Sequence, residues 1–409
     1  MPMNELDPAA TRTAPVGRGV VAGPAPTRRL RAGVGHSLLH DATLAGRQAA
    51  AAALRALGAD AADFALVFAT EGYAHAALLE AVADALPGAR LSGCSAEGVI
   101  ADDRSHEREH AVAVLAVRAE GVAFRPFLVE GYGADPAAAG RAIADACARG
   151  PGRLAAVVVL PDGLRGEPAA LLGALEASLP SPVPIVGGAS ADAWRYERTV
   201  QFLDRRAVTD AVAGFSIHGD VDVRIGVSHG CAPIGLERVV TRATGGWVEE
   251  IDGRPAWQVF REYLDAEPDD LDPEGVVYLA LASTAEGPDG ARTLVVHTPS
   301  ELDRPRGALF FAGGGLEAGT TVRLMRRDAS LVRDSARASA EGVARGALAP
   351  PALVLQFDCA GRGRLLFGER TADVPWIGFQ TFGEIAPVGG RARYQNYTVV
   401  FCALYEAPR

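Results

Sequence analysis

Eight residues of this chain have the types and the spacing for ligand chemistry, and they sit in four short runs. These are Cys94 and Ser95 in Gly93-Cys-Ser-Ala-Glu-Gly98, and Gly188 and Asp192 in Gly187-Gly-Ala-Ser-Ala-Asp192. Cys359 and Arg362 follow in Asp358-Cys-Ala-Gly-Arg362, and Thr381 and Glu384 in Gly378-Phe-Gln-Thr-Phe-Gly-Glu384. Small residues after a buried strand let backbone approach a ligand closely, and their N–H groups can hold carboxylate or phosphate oxygens. Arg362 suits a carboxylate by bidentate pairing, and Asp192 or Glu384 suits an ammonium group. If the runs converge, the set suits an amino-acid-like zwitterion. The competing reading is structural: Gly and Cys pack a helix on a sheet, and Arg362 pairs with an internal carboxylate.

Two alternatives to ligand binding are a purely structural interaction module and a cysteine-dependent enzyme acting on an amide-like substrate, with Cys94 or Cys359 as nucleophile. Such a nucleophile needs a base, usually His, and a lowered pKa. No protease signature surrounds either residue and G-x-S-x-G is absent, so a buried thiol acting as a small hydrophobe is the simpler reading. His106-Glu-Arg-Glu-His110 satisfies H-E-x-x-H, but a zincin needs that motif on a helix with a further ligand. Here it closes a charged stretch and runs into an alternating strand, so a solvated turn without metal is expected. His36-x-x-x-His40 has the same spacing and straddles a strand end.

The elements that carry these runs recur along the chain. Phe64–Phe68, Ala155–Leu160 and Ala352–Phe357 are continuous apolar runs, the pattern of strands buried on both faces. Helical patterns follow the first two, roughly over 74–86 and 168–178. From strand start to small-residue turn the spacing is about 29, 32 and 26 residues, the length of a right-handed parallel crossover. Around these units lie antiparallel-looking runs, among them 110–117, 122–129, 198–203, 208–217, 221–228, 276–282, 291–297, 307–311, 320–325 and 396–404. Helices are expected over 43–57, capped by Asp41, and over 328–346, capped by Asp328. The fold class is therefore α/β, with mixed parallel and antiparallel sheets, helices on the outer faces and two pseudo-related halves. Residues 1–29, rich in Pro, Ala, Gly, Thr and Arg, read as a disordered lead dispensable for folding. Gly230-Cys-Ala-Pro-Ile-Gly235 interrupts the strand pattern, which puts a boundary there and gives domains at 30–235 and 236–409.

Composition removes whole classes of function. The sequence has 409 residues, 49% of them hydrophobic, and a formal net charge of −10. That balance argues against nucleic-acid binding. All 40 basic residues are arginine. Without lysine there is no Schiff base, no P-loop lysine and no lysine general base. The five cysteines at 94, 147, 231, 359 and 402 form no C-x-x-C pair, and no apolar run approaches a membrane span or a signal peptide. A reduced, cytoplasmic protein is expected.

These turns also carry a resemblance. Gly33-Val-Gly-His-Ser37, the 93–98 run, Val186–Asp192 and Gly226–Gly235 resemble a FIST N domain, although the family more often has an aromatic where Cys231 stands. Val240–Ala243, Gly319–Met325, Phe357–Arg362 and Gly378–Pro387 resemble a FIST C domain, so the match covers roughly 30–405. The resemblance implies a small-ligand-sensing module of bacterial signal transduction, with amino acids as one ligand class. Some members resemble haem-binding nitric-oxide sensors that act on a histidine kinase or a cyclic-di-GMP enzyme. Haem is thus implied by family resemblance only, with His36, His229, Cys94 and Cys359 as candidate axial ligands. The chain shows no kinase or cyclase motif of its own, so signalling requires a separate partner.

Overall fold

Each of the three apolar runs forms the first strand of a parallel pair in the computed structural model, which describes residues 29–102, 104–264, 279–288, 290–362 and 375–407. Phe64–Thr70 pairs with Arg90–Ala96 across helix His75–Ala85. Leu154–Pro161 pairs with Ile185–Gly188 across helix Pro168–Ser178. Leu353–Cys359 pairs with Trp376–Thr381, and the segment joining these two lies outside the described residues. The 1–29 lead, save Arg29, and the part of 276–282 before Leu279 also lie outside them.

Each pair belongs to a different six-stranded sheet. After its second strand the chain crosses to the next sheet. Gly98–Ala101 leaves the first pair and joins Trp376–Thr381 of the third. Gln201–Leu203 leaves the second and joins Arg90–Ala96 of the first. Glu384–Val388 leaves the third and joins Ile185–Gly188 of the second. The three handovers form a closed cycle, a pseudo-threefold arrangement.

The inner faces of the sheets share one core. Phe64, Phe68 and Leu115 of the first sheet meet Val158, Leu160 and Phe215 of the second and Phe357, Phe379 and Leu404 of the third. Helices cover the outer faces. Ala45, Ala49 and Ala53 of helix Ala42–Leu57 pack with Leu78 and Val82 on the first sheet. Ile143 of helix Pro136–Ala148 and Leu171 of Pro168–Ser178 cover the second. Ala336, Ala340 and Val343 of helix Ala329–Ala344 cover the third. Strands so enclosed need no alternation, which is why they read as unbroken apolar runs. The Asp41 and Asp328 carboxylates accept N–H bonds at the first turns of their helices, as expected.

The 230–240 segment differs from expectation. It is not an interruption but the start of the 14-residue strand Cys231–Thr244, in a fourth, fully antiparallel sheet. Pro233 and Gly235 are tolerated because the register with Thr321–Arg327 slips between Ile234 and Glu237, a bulge where Gly235 takes φ +68°.

A close approach recurs in all three pairs. Gly93 stands opposite Val67, Gly187 opposite Val159, and Gly378 opposite Gln356. A Cβ on these glycines would fall 1.8, 1.9 and 2.2 Å from the facing carbonyl oxygens. Gly187→Ala is therefore expected to lower the unfolding free energy by about 2–4 kcal/mol. Gly173→Ala, on a helix where a Cβ meets open space, should be neutral or stabilising by up to ~1 kcal/mol. Urea midpoints of the two variants check the contrast.

Candidate functional site

The cyclic handover brings the three small-residue turns together. The Ser95 hydroxyl donates to the Ala191 carbonyl at 2.8 Å and accepts the Val200 N–H at 2.9 Å. Glu97 N–H donates to the Gln380 carbonyl, and Ala189 N–H to that of Gly383. Gly188 is the strand partner of Glu384, and Cys359 that of Thr381. Cys94, Ser95, Gly188, Asp192, Cys359, Thr381 and Glu384 thus sit around one junction, with Arg362 one short 3-10 turn beyond Cys359.

What they do there is largely internal. Cys94 faces the shared core. A Cβ on Gly188 would strike the Thr381 methyl at 2.5 Å. The Asp192 carboxylate accepts N–H bonds from Tyr196, Glu197 and Arg198. Arg362 is completely buried. Its Nε donates to Asp358 at 2.9 Å, and its terminal nitrogens face the Tyr397 and Val332 carbonyls at 3.4 Å. Burial outweighs the guanidinium and keeps the Asp358 carboxyl above its ordinary pKa. Arg362 therefore has the partner that the structural reading requires.

Two acids remain without a strong counter-charge. Glu384 is fully buried. Its Oε1 lies 2.5 Å from the Thr381 hydroxyl, and its Oε2 accepts the Thr398 N–H and hydroxyl. Burial pushes it up to about 8, against those hydrogen bonds. Burial likewise lifts Glu97 to about 7, with Asp192 and Glu107 adding to the effect. Burial, then Glu384 and Asp358, hold the Cys359 thiol well above the usual range, and burial alone does so for Cys94. A thiol among carboxylates is a poor nucleophile, and among the described residues no histidine hydrogen-bonds either sulfur.

The loop over this junction escaped sequence reasoning. Ala193, Trp194 and Tyr196 all take φ between 55° and 60°, left-handed values that cost roughly 1 kcal/mol or more each outside glycine. The three N–H bonds to Asp192 hold the loop, together with a fourth from Trp194 N–H to Glu97 Oε2 at 2.8 Å. Two large rings thereby stand over the acids. Trp194 and Tyr196 lie 5.8 and 5.3 Å from Phe382, and Tyr196 remains 52% exposed. The signal in the sequence was an Asp followed by two aromatics in an otherwise small-residue stretch.

The histidine motifs lie elsewhere. His106 and Glu107 belong to strand Arg104–Glu107, so His106 and His110 do not share a helix face. His106 is buried rather than solvated as expected. It bonds Glu109 and stacks on His36 at 5.2 Å. Among the described residues no group of three His, Cys, Asp or Glu is placed to hold a metal. For haem, the four axial candidates fit poorly. Cys94 and Cys359 lie in packed cores, His229 Nδ1 accepts the Cys231 N–H, and His36 is stacked.

Two outcomes follow. Arg362→Ala strands a buried carboxylate and should cost about 3–5 kcal/mol of stability, with the paired change Asp358→Leu/Arg362→Met recovering much of it in denaturant titrations. From about pH 4.5 the folded chain keeps protons that the unfolded chain loses, on Glu97 up to about pH 7 and on Glu384 up to about pH 8. Unfolding free energy should therefore fall as pH rises through those windows, by up to ~1.4 kcal/mol per unit for each carboxyl. Glu384→Gln should flatten that slope when urea midpoints are compared at pH 5, 7 and 9.

Among the described residues no helix is long and apolar enough to cross a membrane. A FIST N domain model matches residues 63–254, and a FIST C domain model matches 256–387. The uncharacterized protein Rv0628c of Mycobacterium tuberculosis is 30% identical over 395 residues, spanning 90% of this chain and 98% of its own. The uncharacterized protein Mb0898c of Mycobacterium bovis is 29% identical over 404 residues, spanning 90% and 97%. FIST domains are associated with sensory signal transduction, a sensory rather than an enzymatic family. With its two domain types in tandem and its turns folded into one junction, the chain belongs to the FIST family.

Proposed function

We propose that this chain is a small-molecule-sensing module whose ligand binds at the three-turn junction, beneath Trp194, Tyr196 and Phe382. One observation carries the reading: two buried carboxyls, Glu97 held against a strained aromatic loop and Glu384 two residues from Phe382, make no ion pair among the described residues. Strain and shifted acids are held at sites where a ligand or a switch uses them. Of the zwitterion expected from the sequence, the ammonium half retains Glu384 while Asp192 is engaged by loop N–H groups, and the carboxylate half loses Arg362 to Asp358. The ligand class that suits the junction is a small organic cation. It would lie against aromatic faces and draw the carboxyls into their ionised form.

Because the turns belong to three different sheets, a ligand drawing them together changes how the sheets meet. The output then passes to a separate protein, of the histidine-kinase or cyclic-di-GMP class that the family resemblance implies. A thiol-dependent hydrolase is the weaker alternative, since both candidate thiols are held protonated.

Native mass spectrometry of freshly purified full chain tests the proposal, followed by fluorescence titration with methylammonium, choline and glycine. A retained organic cation, or saturable quenching that Trp194→Ala and Glu97→Gln each weaken at least tenfold, is the expected result. Binding untouched by both changes would move the ligand elsewhere.

A further inference from the structure

Tyr394, whose hydroxyl bonds the Phe382 carbonyl, also lines a recess of about 180 Å³. It opens between helix Pro168–Ser178, the end of strand Arg292–His297, strand Arg391–Gln395 and the run Gly313-Gly-Gly315. His297 lines it and is only 3% exposed. Its Nε2 is engaged with the Ser283 hydroxyl at 3.0 Å, whereas its buried Nδ1 has no hydrogen-bond partner. Such an orphan is costly unless something meets it. Burial, with Arg393 nearby, holds this imidazole down to about 4, so it is neutral at pH 7.

Two cations share the lining. Neither Arg391 nor Arg393 makes an ion pair among the described residues. Arg393 donates only its Nε, to the Val388 carbonyl. The one carboxylate in the lining, Glu176, uses Oε1 to accept the Ala392 N–H at 2.5 Å. The glycine run lies against the imidazole: a Cβ on Gly313 would fall 3.6 Å from His297 Nδ1, and one on Gly315 3.8 Å from Cε1.

We propose that this recess binds a small oxyanion, a carboxylate or phosphate group, between Arg391, Arg393 and the Nδ1–H of His297. The Ser283 hydroxyl then donates to Nε2 and fixes the proton on Nδ1, so a neutral imidazole serves as a donor. The arginines supply the charge, and the glycines leave room for the oxygens. The site is distinct from the acidic junction and of opposite sign. The two share a wall, because the Tyr394 hydroxyl donates to the Phe382 carbonyl at 3.1 Å. An anion here would bear on the same turn that carries Thr381 and Glu384.

Calorimetric titration of the full chain in Tris chloride with sodium phosphate, and separately with sodium acetate, tests the proposal. Saturable binding of at least one is expected; phosphate alone or acetate alone identifies the group recognised. The double change Arg391→Gln/Arg393→Gln should weaken it at least tenfold. Gly173→Phe, whose side chain enters the recess from a helix position open to a Cβ, should abolish it without lowering the melting temperature. In ¹⁵N-histidine spectra one Nδ1 signal should move on anion addition, and that signal should be missing from His297→Gln. Absence of saturable binding by either anion, or binding unchanged by the arginine pair and by Gly173→Phe, overturns the assignment.

Discussion

Three carbonyl oxygens, those of Val67, Val159 and Gln356, lie so near the adjacent strand that only a hydrogen fits on the facing α-carbon. That contact fixes the architecture. It clamps each parallel pair within three residues of the end of the second strand, and so sets where the chain turns and where it crosses to the next sheet. Because the three clamps are equivalent, the three turns arrive at one place. A residue with a side chain at any one of them would push its turn away from the other two.

The electrostatics of the junction follow from that packing. The turns bring their backbone groups together with almost no solvent, and small residues leave little to cover the acids among them. Asp192 accepts three N–H bonds and Asp358 pairs with a guanidinium, although burial still keeps Asp358 above its ordinary pKa. Glu97 and Glu384 accept hydrogen bonds but have no such cation, and desolvation prevails in both. The left-handed run through Ala193, Trp194 and Tyr196 is tied to Asp192 and Glu97, so loop geometry and Glu97 protonation are coupled.

Much of this was legible in the sequence because it is local. Unbroken apolar runs marked strands covered on both faces, Asp41 and Asp328 marked helix starts, and the spacing to the small-residue turns marked parallel crossovers. The family resemblance rested on the same turns. Long-range choices were not legible. Nothing near Gly98 says that its strand joins one some 280 residues onward, and nothing near Arg362 distinguishes a ligand partner from Asp358 four residues before it. The strand through Cys231 was hidden because Pro233 and Gly235 read as breakers until a bulge absorbs them. The unpartnered Nδ1 of His297 depends on which elements surround it, and no spacing along the chain encodes that.

The cyclic exchange of strands also dictates the order in which the molecule can be built. The hairpin of Gly98–Ala101 with Arg104–Glu107 finds its sheet only when Trp376–Thr381 exists, and Val221–His229 finds a neighbour only when Thr398–Glu406 does. On a ribosome, the second sheet emerges with one edge of Ile185–Gly188 bare, and part of a shared apolar interior lies open to water. Contacts this distant in sequence impose large loop-closure entropy and slow, late consolidation. Nascent chains of this topology keep aggregation-prone surface exposed until late, and the final strands act as the latch that ends the exposure.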